Sequence, residues 1–422
     1  MNSAYSRQTT WAHAKSAAIL MAIALVFAAL AALGTPGVAQ ATPTNATDVT
    51  TASEGNVMLM AKGAFATDKQ AALDYVNTLR KEACTAGNVP DPRDSSRMLS
   101  ASDYVPIKWS TDLEWIAQIR AAESLYTMAH ERTNGASCFG ISHNGVRSWG
   151  EVLAWGMGTI KGSCSLWATE KSSWVAQDSS AVTGHYTQMI NPSNTYMGMA
   201  NFSSASSYGY GTCGAGEFSS ATSLTEGFNG ISGAYLQWVE VQASKITGVY
   251  ASIGNVTKGA STTARLGVTY NGKSNTGLLL PASAVTWTSN ATKVATVSGG
   301  TVKGKGCGNA KLTGTVVSNA YSALKGKTAS AKVKVVPKAP TLKSKKYTAK
   351  KTTLKWKKVA GVSGYQIKYY KKQSGYYKSK SLKVGSKTTK QTLKKAHYVQ
   401  IRSYQKSGGK TYYSAWTTVT TK

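Results

Sequence analysis

Three stretches of the chain place apolar residues at helical spacing. Ala72, Val76 and Leu79 line one face of a helix predicted from about Asp68 to Cys84, with Thr67 or Asp68 as its cap. Leu113, Ile116, Ala117, Ala121 and Leu125 predict a second helix from about Ser110 to Glu131, ending at His130 as an ordinary surface residue, and Ser163 to Ala176 reads as a third. Met197 to Phe202 and Tyr235 to Val241 read as strands. Residues 85–106, with three prolines, and the Gly/Ser-rich stretch containing Cys213 read as loops. Helices and strands mix without βαβ regularity, which predicts an α+β fold.

After residue 241 the period changes to two. Lys332-Val333-Lys334-Val335, Leu354-Lys355-Trp356-Lys357, Tyr365-Gln366-Ile367-Lys368-Tyr369 and Val399-Gln400-Ile401-Arg402 alternate apolar with polar or basic residues. One face packs and the other meets water, as half-buried antiparallel strands require. Pro337 and Pro340 divide this half into two all-β units of sandwich size, residues 242–337 and 341–422.

At the other end, Arg7 and Lys15 precede an unbroken apolar run of 17 residues from Ala17 to Leu33. Gly34 and Pro36 break it, and Ala39-Gln40-Ala41 offers small residues for a signal peptidase. The pattern predicts a secretory signal over residues 1–41, with an uncleaved anchor as the alternative. Residues 42–67, rich in Ala, Thr and Ser, then read as a linker. No comparable apolar run follows and no hydrophobic tail closes the chain, so the expectation is a secreted, extracellular protein without a further transmembrane segment or covalent anchor.

Composition changes this picture through charge. The 422 residues carry a formal charge of +31, which invites a nucleic-acid reading. The charge is segregated. Residues 42–240 hold 12 basic and 18 acidic side chains, whereas residues 241–422 hold 35 basic and none acidic. Of those 35, 33 are lysine, a hydrated point charge suited to diffuse contact with polyanions more than to bidentate base readout. The expected partners are therefore anionic cell-envelope polymers or host surface glycans, and nucleic acid is not expected; a merely solvated basic face is the competing reading.

Cys84, Cys138, Cys164 and Cys213 lie in the acidic half, and Cys307 stands alone in the basic half. An oxidising compartment predicts disulfides among the first four, with three possible pairings left open.

The chemistry-bearing residues are sparse. His143 lies eight residues before Glu151 in Gly150-Glu151-Val152-Leu153, Glu170 follows Trp167 by three residues, and His185 lies in Gly184-His185-Tyr186-Thr187-Gln188-Met189. With Asn77-Thr78-Leu79-Arg80 and Ile107-Lys108-Trp109, this series resembles the CAP superfamily of cysteine-rich secretory proteins, venom allergens and plant pathogenesis-related proteins. The resemblance covers residues 68–241. It implies an α-β-α sandwich with a cleft holding His143, Glu151, Glu170 and His185.

Such a tetrad could hold a divalent metal, most naturally zinc, on its imidazoles, with Glu151 and Glu170 as orienting groups or as candidate catalytic bases. It could equally be a polar network that fixes the fold. No GxSxG, HExxH or Cys–His signature supplies an acyl nucleophile, and no cofactor-binding motif is present. A binding role is expected ahead of catalysis, with a metal-assisted, peptidase-like hydrolase as the alternative. The chain departs from the family pattern at Val152, Asn191-Pro192 and Met199.

Downstream, Val285-Thr286-Trp287-Thr288-Ser289-Asn290 and Gly306-Cys307-Gly308-Asn309-Ala310 resemble bacterial Ig-like domains of group 2. Residues 341–422, with Tyr412-Tyr413-Ser414-Ala415-Trp416, resemble a fibronectin type III module. The resemblances imply a bacterial surface protein in which a CAP-like α-β-α sandwich is followed by two all-β sandwich domains.

Overall fold

The computed structural model describes residues 44–45, 51–206, 209–348, 350–373, 376–394, 396 and 398–419. The leader read at residues 1–41 lies outside them. The described chain divides into one unit built chiefly from residues 42–336 and a second that begins at Pro337. The fold is α+β, with helices in the first unit only. No described helix is long and apolar enough to cross a membrane.

After a short strand at Thr44–Asn45 that pairs with Tyr235 and Leu236, the first unit continues with strand β1 (Asn56–Phe65), inside the segment expected to be a linker. Leu59, Met60 and Ala61 are buried in succession, so this strand is covered on both faces and shows no period of two. Helix α1 (Lys69–Thr85) buries Ala72, Val76, Leu79 and Ala83. Helix α2 (Thr111–Thr127) starts where the Ser110 hydroxyl accepts the Leu113 N–H, and ends at Met128 in a left-handed turn with φ 52°. It stops short of the expected Glu131, which leaves His130 beyond the helix. The third expected helix is broken into α3 (Ile160–Ala168) and α4 (Lys171–Val175), with Glu170 at the break. Helix α5 (Gly184–Ile190) follows.

Strands β2 (Gly150–Trp155), β3 (Tyr196–Ser203), β4 (Thr212–Ser219) and β5 (Gly233–Gln242) complete the layer. β1 pairs antiparallel with β5 from Asn56↔Gln242 to Phe65↔Gly233, and β3 and β4 carry the sheet out to its edge strand β2. Ala117, Ala121 and Leu125 of α2 pack on Ala200 and Ala215 on one face. Val76, Cys164, Trp167 and Tyr186 of α1, α3 and α5 pack on Val152, Met197 and Met199 on the other. The close approach of α2 requires Gly198, where a Cβ would lie 2.0 Å from the Glu114 nitrogen. Cys213, expected in a loop, is buried in β4.

The boundary expected at residues 241–242 does not separate two modules. Strands β6 (Ile246–Ile253), β7 (Ser261–Tyr270) and β8 (Leu278–Leu279) continue the same sheet, and β8 pairs with β1 at Leu278↔Ala61 and Leu279↔Met60. One core joins Leu59, Phe202 and Val239 to Leu266, Leu280, Tyr321 and Leu324. The Tyr321 hydroxyl donates to the Met58 carbonyl at 2.7 Å. Strands β9 (Val285–Ser289), β10 (Ala295–Ser298), β11 (Thr301–Gly304), β12 (Gly308–Val316) and β13 (Thr328–Val336) finish this unit.

The unit from Pro337 is all β. Strands β14 (Leu342–Thr348), β15 (Lys351–Trp356) and β18 (Lys390–Lys394) form one sheet, in the order β14-β15-β18. Strands β16 (Gly364–Gln373), β17 (Tyr376–Gly385), β19 (Val399–Ser407) and β20 (Thr417–Val419) belong to another, with β16 between β17 and β19. Leu354, Trp356, Tyr365, Ile367 and Ile401 fill the space between them.

The disulfides expected in the first unit are not formed. All five cysteines are buried free thiols. The Cys164 thiol donates to the Met199 sulfur at 3.4 Å, and burial pushes the Cys138 thiol up to about 11.

Candidate functional site

Two segments of the family-like pattern turn out to be scaffolding. Arg80 is 1% exposed and donates to the carbonyls of Val105, Met189, Asn191 and Asn194, tying α1 to the chain after α5. Burial lowers its guanidinium to about 10. Asn77 exchanges two bonds with the backbone of Ile107. These contacts explain why an Asn and an Arg stand three residues apart on one helix face.

The histidines form carboxylate pairs. At the first, the break between α3 and α4 leaves Glu170 free to reach α5. Its Oε2 accepts the backbone N–H groups of His185 and Tyr186, both at 3.0 Å, while Oε1 accepts from His185 Nδ1 at 2.5 Å. A carboxylate acceptor fixes the proton on Nδ1 and leaves Nε2 as the free lone pair. The ring lies parallel to Trp167, with centroids 6.3 Å apart.

The second pair is His130–Glu151. His130 Nδ1 lies 2.7 Å from Glu151 Oε1, and Arg120 Nε donates to Oε2 at 2.5 Å. Arg120 also bonds Glu123, which Arg132 bonds from the other side. Burial alone would raise the Glu151 carboxyl; the bonds from His130 and Arg120 outweigh it and hold the group below the usual carboxylate value. Directly across the ladder stands Glu217, which is 1% exposed with both carboxyl oxygens unpartnered. Burial, then the charge of Glu151, pushes it well above the usual range.

His143 makes the third pair. Its Nδ1 lies 2.8 Å from Asp112 Oδ1 in the first turn of α2, and its ring stacks on Trp115 at 4.4 Å. Asn144 (φ 49°) and Gly145 (φ 78°) form the left-handed corner between Ser142-His143 and Val146-Arg147. Asn-Gly is the residue pair such a hairpin favours.

Of the four expected site residues, then, Glu170 and His185 touch directly. Glu151 takes His130 as its imidazole, and His143 takes Asp112 as its carboxylate. Along β2 successive side chains alternate, so Val152 enters the core under α1, α3 and α5 while Glu151 faces α2. His130, read as an ordinary surface residue, is thus a member of the site, and so are Asp112 and Arg120. The sequence signal that could have found His130 is its position at the end of the predicted helix, before Cys138. Among the described residues, the one group of three potential ligand atoms within 4.8 Å of one another is His130, Cys138 and Glu151.

Among the described residues, the ligand atoms of His143, His185, Glu151 and Glu170 do not come together as one group within 4.8 Å. The oxygens of Glu170 and Glu151 are already taken by N–H donors, and the carboxylates serve to aim the rings. What each pair offers is an imidazole edge of fixed tautomer.

Comparison with known proteins places this geometry. A search of curated proteins finds no match. Among solved structures, the FN1–FN3 domains of chicken CNTN1 are 12% identical over 49% of this chain and 78% of that chain, with a TM-score of 0.15. The central Fibronectin-III array of RIM-binding protein is 12% identical over 53% of this chain and 93% of that chain, with a TM-score of 0.17. The model of the Cysteine-rich secretory protein family, CAP, matches residues 73–214, the span that holds all three histidine–carboxylate pairs.

Proposed function

We propose that this is a secreted bacterial surface protein whose CAP domain binds a ligand, while its basic β region retains it at anionic envelope polymers. The observation that carries the reading is the charge segregation: 35 basic and no acidic residues from 241 to 422, behind an N-terminal region with 18 acidic side chains. A surface of one sign attracts polyanions, and it does so through screened contacts. In this reading the apolar run at residues 17–33 directs export, and the downstream β units are Ig-like and fibronectin type III-like modules.

Binding is favoured over hydrolysis by the state of the carboxylates. A general base takes its proton on a carboxylate oxygen turned toward water, whereas these carboxylates are turned onto the imidazoles they orient. Each oxygen of Glu170 accepts from an N–H donor, and Glu151 is held by Arg120 and His130. The alternative, a metal-assisted hydrolase, draws its support from the free Nε2 edge of His185.

The test is salt-dependent retention of the full chain on purified cell envelope. The Debye length falls from about 10 Å at 0.1 M salt to about 3 Å at 1 M. The protein is expected to sediment with envelope at the low salt and to elute at the high. Retention indifferent to salt would overturn the electrostatic account. Turnover of peptide or ester substrates that requires added zinc and is lost in His185→Ala would favour the hydrolase instead.

A further inference from the structure

The charge of the C-terminal unit is arrayed on a lattice. In β15, Thr352, Leu354 and Trp356 are buried, so alternation turns Lys351, Thr353 and Lys355 outward. The ladder sets Lys394 opposite Lys351 and Lys390 opposite Lys355 in β18, and Lys346 of β14 opposite Thr353. A hydrogen bond of 2.9 Å between the Thr353 and Thr392 hydroxyls shows that these side chains share the outer face. All five lysines are exposed.

Two lysine pairs thus stand directly across the ladder from each other. Like charges in that position destabilise a sheet. No Asp or Glu exists between residues 241 and 422, so the segment supplies no counter-charge of its own. Rows lie about 4.8 Å apart across the strands, and the paired lysines repeat about 13–14 Å along them. The nine outward positions of the three strands hold lysine, serine and threonine, with no ring on which a nucleobase could stack.

We infer that the outer face of β14-β15-β18 is a docking surface for a linear, base-free polyphosphodiester, whose charges neutralise the Lys351–Lys394 and Lys355–Lys390 pairs. Lysine ammonium groups bind phosphate oxygens as point charges, and the intervening hydroxyls add donors. The inference rests on the retention reading above and assigns it to one face.

The experiment titrates the full chain with poly(glycerol phosphate) by calorimetry at a series of salt concentrations. One variant carries Lys351→Gln, Lys355→Gln, Lys390→Gln and Lys394→Gln. A second removes the same charge at exposed positions outside that face: Lys258→Gln, Lys293→Gln, Lys305→Gln and Lys327→Gln. The face variant is expected to lose about tenfold or more in affinity at low salt, with the slope of log K against log salt flatter by about 3. The second variant is expected to lose less than about threefold, since it leaves both lysine pairs of the face in place.

Equal losses in the two variants would overturn the face while leaving retention by net charge intact. No binding by the parent chain would overturn both. Tighter binding to oligothymidine or to polyglutamate than to poly(glycerol phosphate) would overturn the assignment to a base-free phosphodiester. Removing two like-charge pairs should leave the melting temperature of the face variant at or above that of the parent, so lost binding would not reflect lost folding.

Discussion

Glu170 holds His185 twice over: one carboxylate oxygen takes the Nδ1 proton of the ring, and the other takes the backbone N–H of the same residue. The side chain that aims the imidazole also caps the helix that carries it. Ring orientation and the local fold of α5 therefore depend on a single residue at the break between α3 and α4.

Glu170→Ala should accordingly act as a lost cap. We expect a stability loss of about 1–2 kcal/mol by denaturant melt. Hydrogen exchange at the His185 and Tyr186 amides should speed up selectively. Unchanged protection of those two amides would show that the cap is dispensable.

Glu217 makes a pH prediction. Its carboxyl is raised in the fold, by burial first and by Glu151 next, whereas an unfolded glutamate titrates near about 4.3. The folded chain then binds the proton more tightly than the unfolded one, so this group's contribution is fully present below that pH and is lost as pH rises. Glu217→Gln removes the titration and keeps the group neutral at every pH. Its stability relative to the parent should grow above pH 4.3, by up to about 1.4 kcal/mol per pH unit. A stability difference that does not change between pH 4 and pH 7 would contradict the neutral state of Glu217.

The continuous core makes residues 51–336 one folding unit. Leu278 is fully buried where β8 meets β1. Leu278→Ala should cost about 2–5 kcal/mol. It should shift the melting of the CAP segment and the following β strands together, as one calorimetric transition. A fragment ending at residue 242 would leave β1 without its β8 partner and expose Met60, and should aggregate. Two independent transitions, or a stable soluble fragment, would separate what the sheet joins.

The cysteines can be counted. All five should react with a thiol reagent after denaturation without reductant, and before denaturation the buried thiols should be slow, since burial keeps them protonated. Mass spectrometry reads the number of adducts directly. Recovery of three or one would reveal disulfides.

Local pattern carried far along this chain. The helical spacing of Ala72, Val76 and Leu79 and of Leu113 to Leu125 produced α1 and α2, because each helix buries one stripe on a sheet. The alternation in Leu354-Lys355-Trp356 produced a half-buried strand for the matching reason. β1 was hidden because burial on both faces erases the period that marks a strand. The helix break at Glu170 was hidden too, since Thr169 and Glu170 are ordinary helix residues and the break exists to let the carboxylate reach α5.

The sequence by itself determined the segregation of charge, the type of most elements and the residues of the Glu170–His185 pair, since composition, period and a local motif need no distant partner. Tertiary structure alone decided the rest. His130 rather than His143 meets Glu151, because α2 stops at Met128 and the chain after it folds back over Arg120. The segments expected as linker, CAP domain and next β module share one sheet, because β1 must pair with β5 and β8 to satisfy its backbone hydrogen bonds. And the lysines of β15 and β18 became pairs only when the register set Lys351 against Lys394, a relation between residues more than 40 apart that no local pattern encodes.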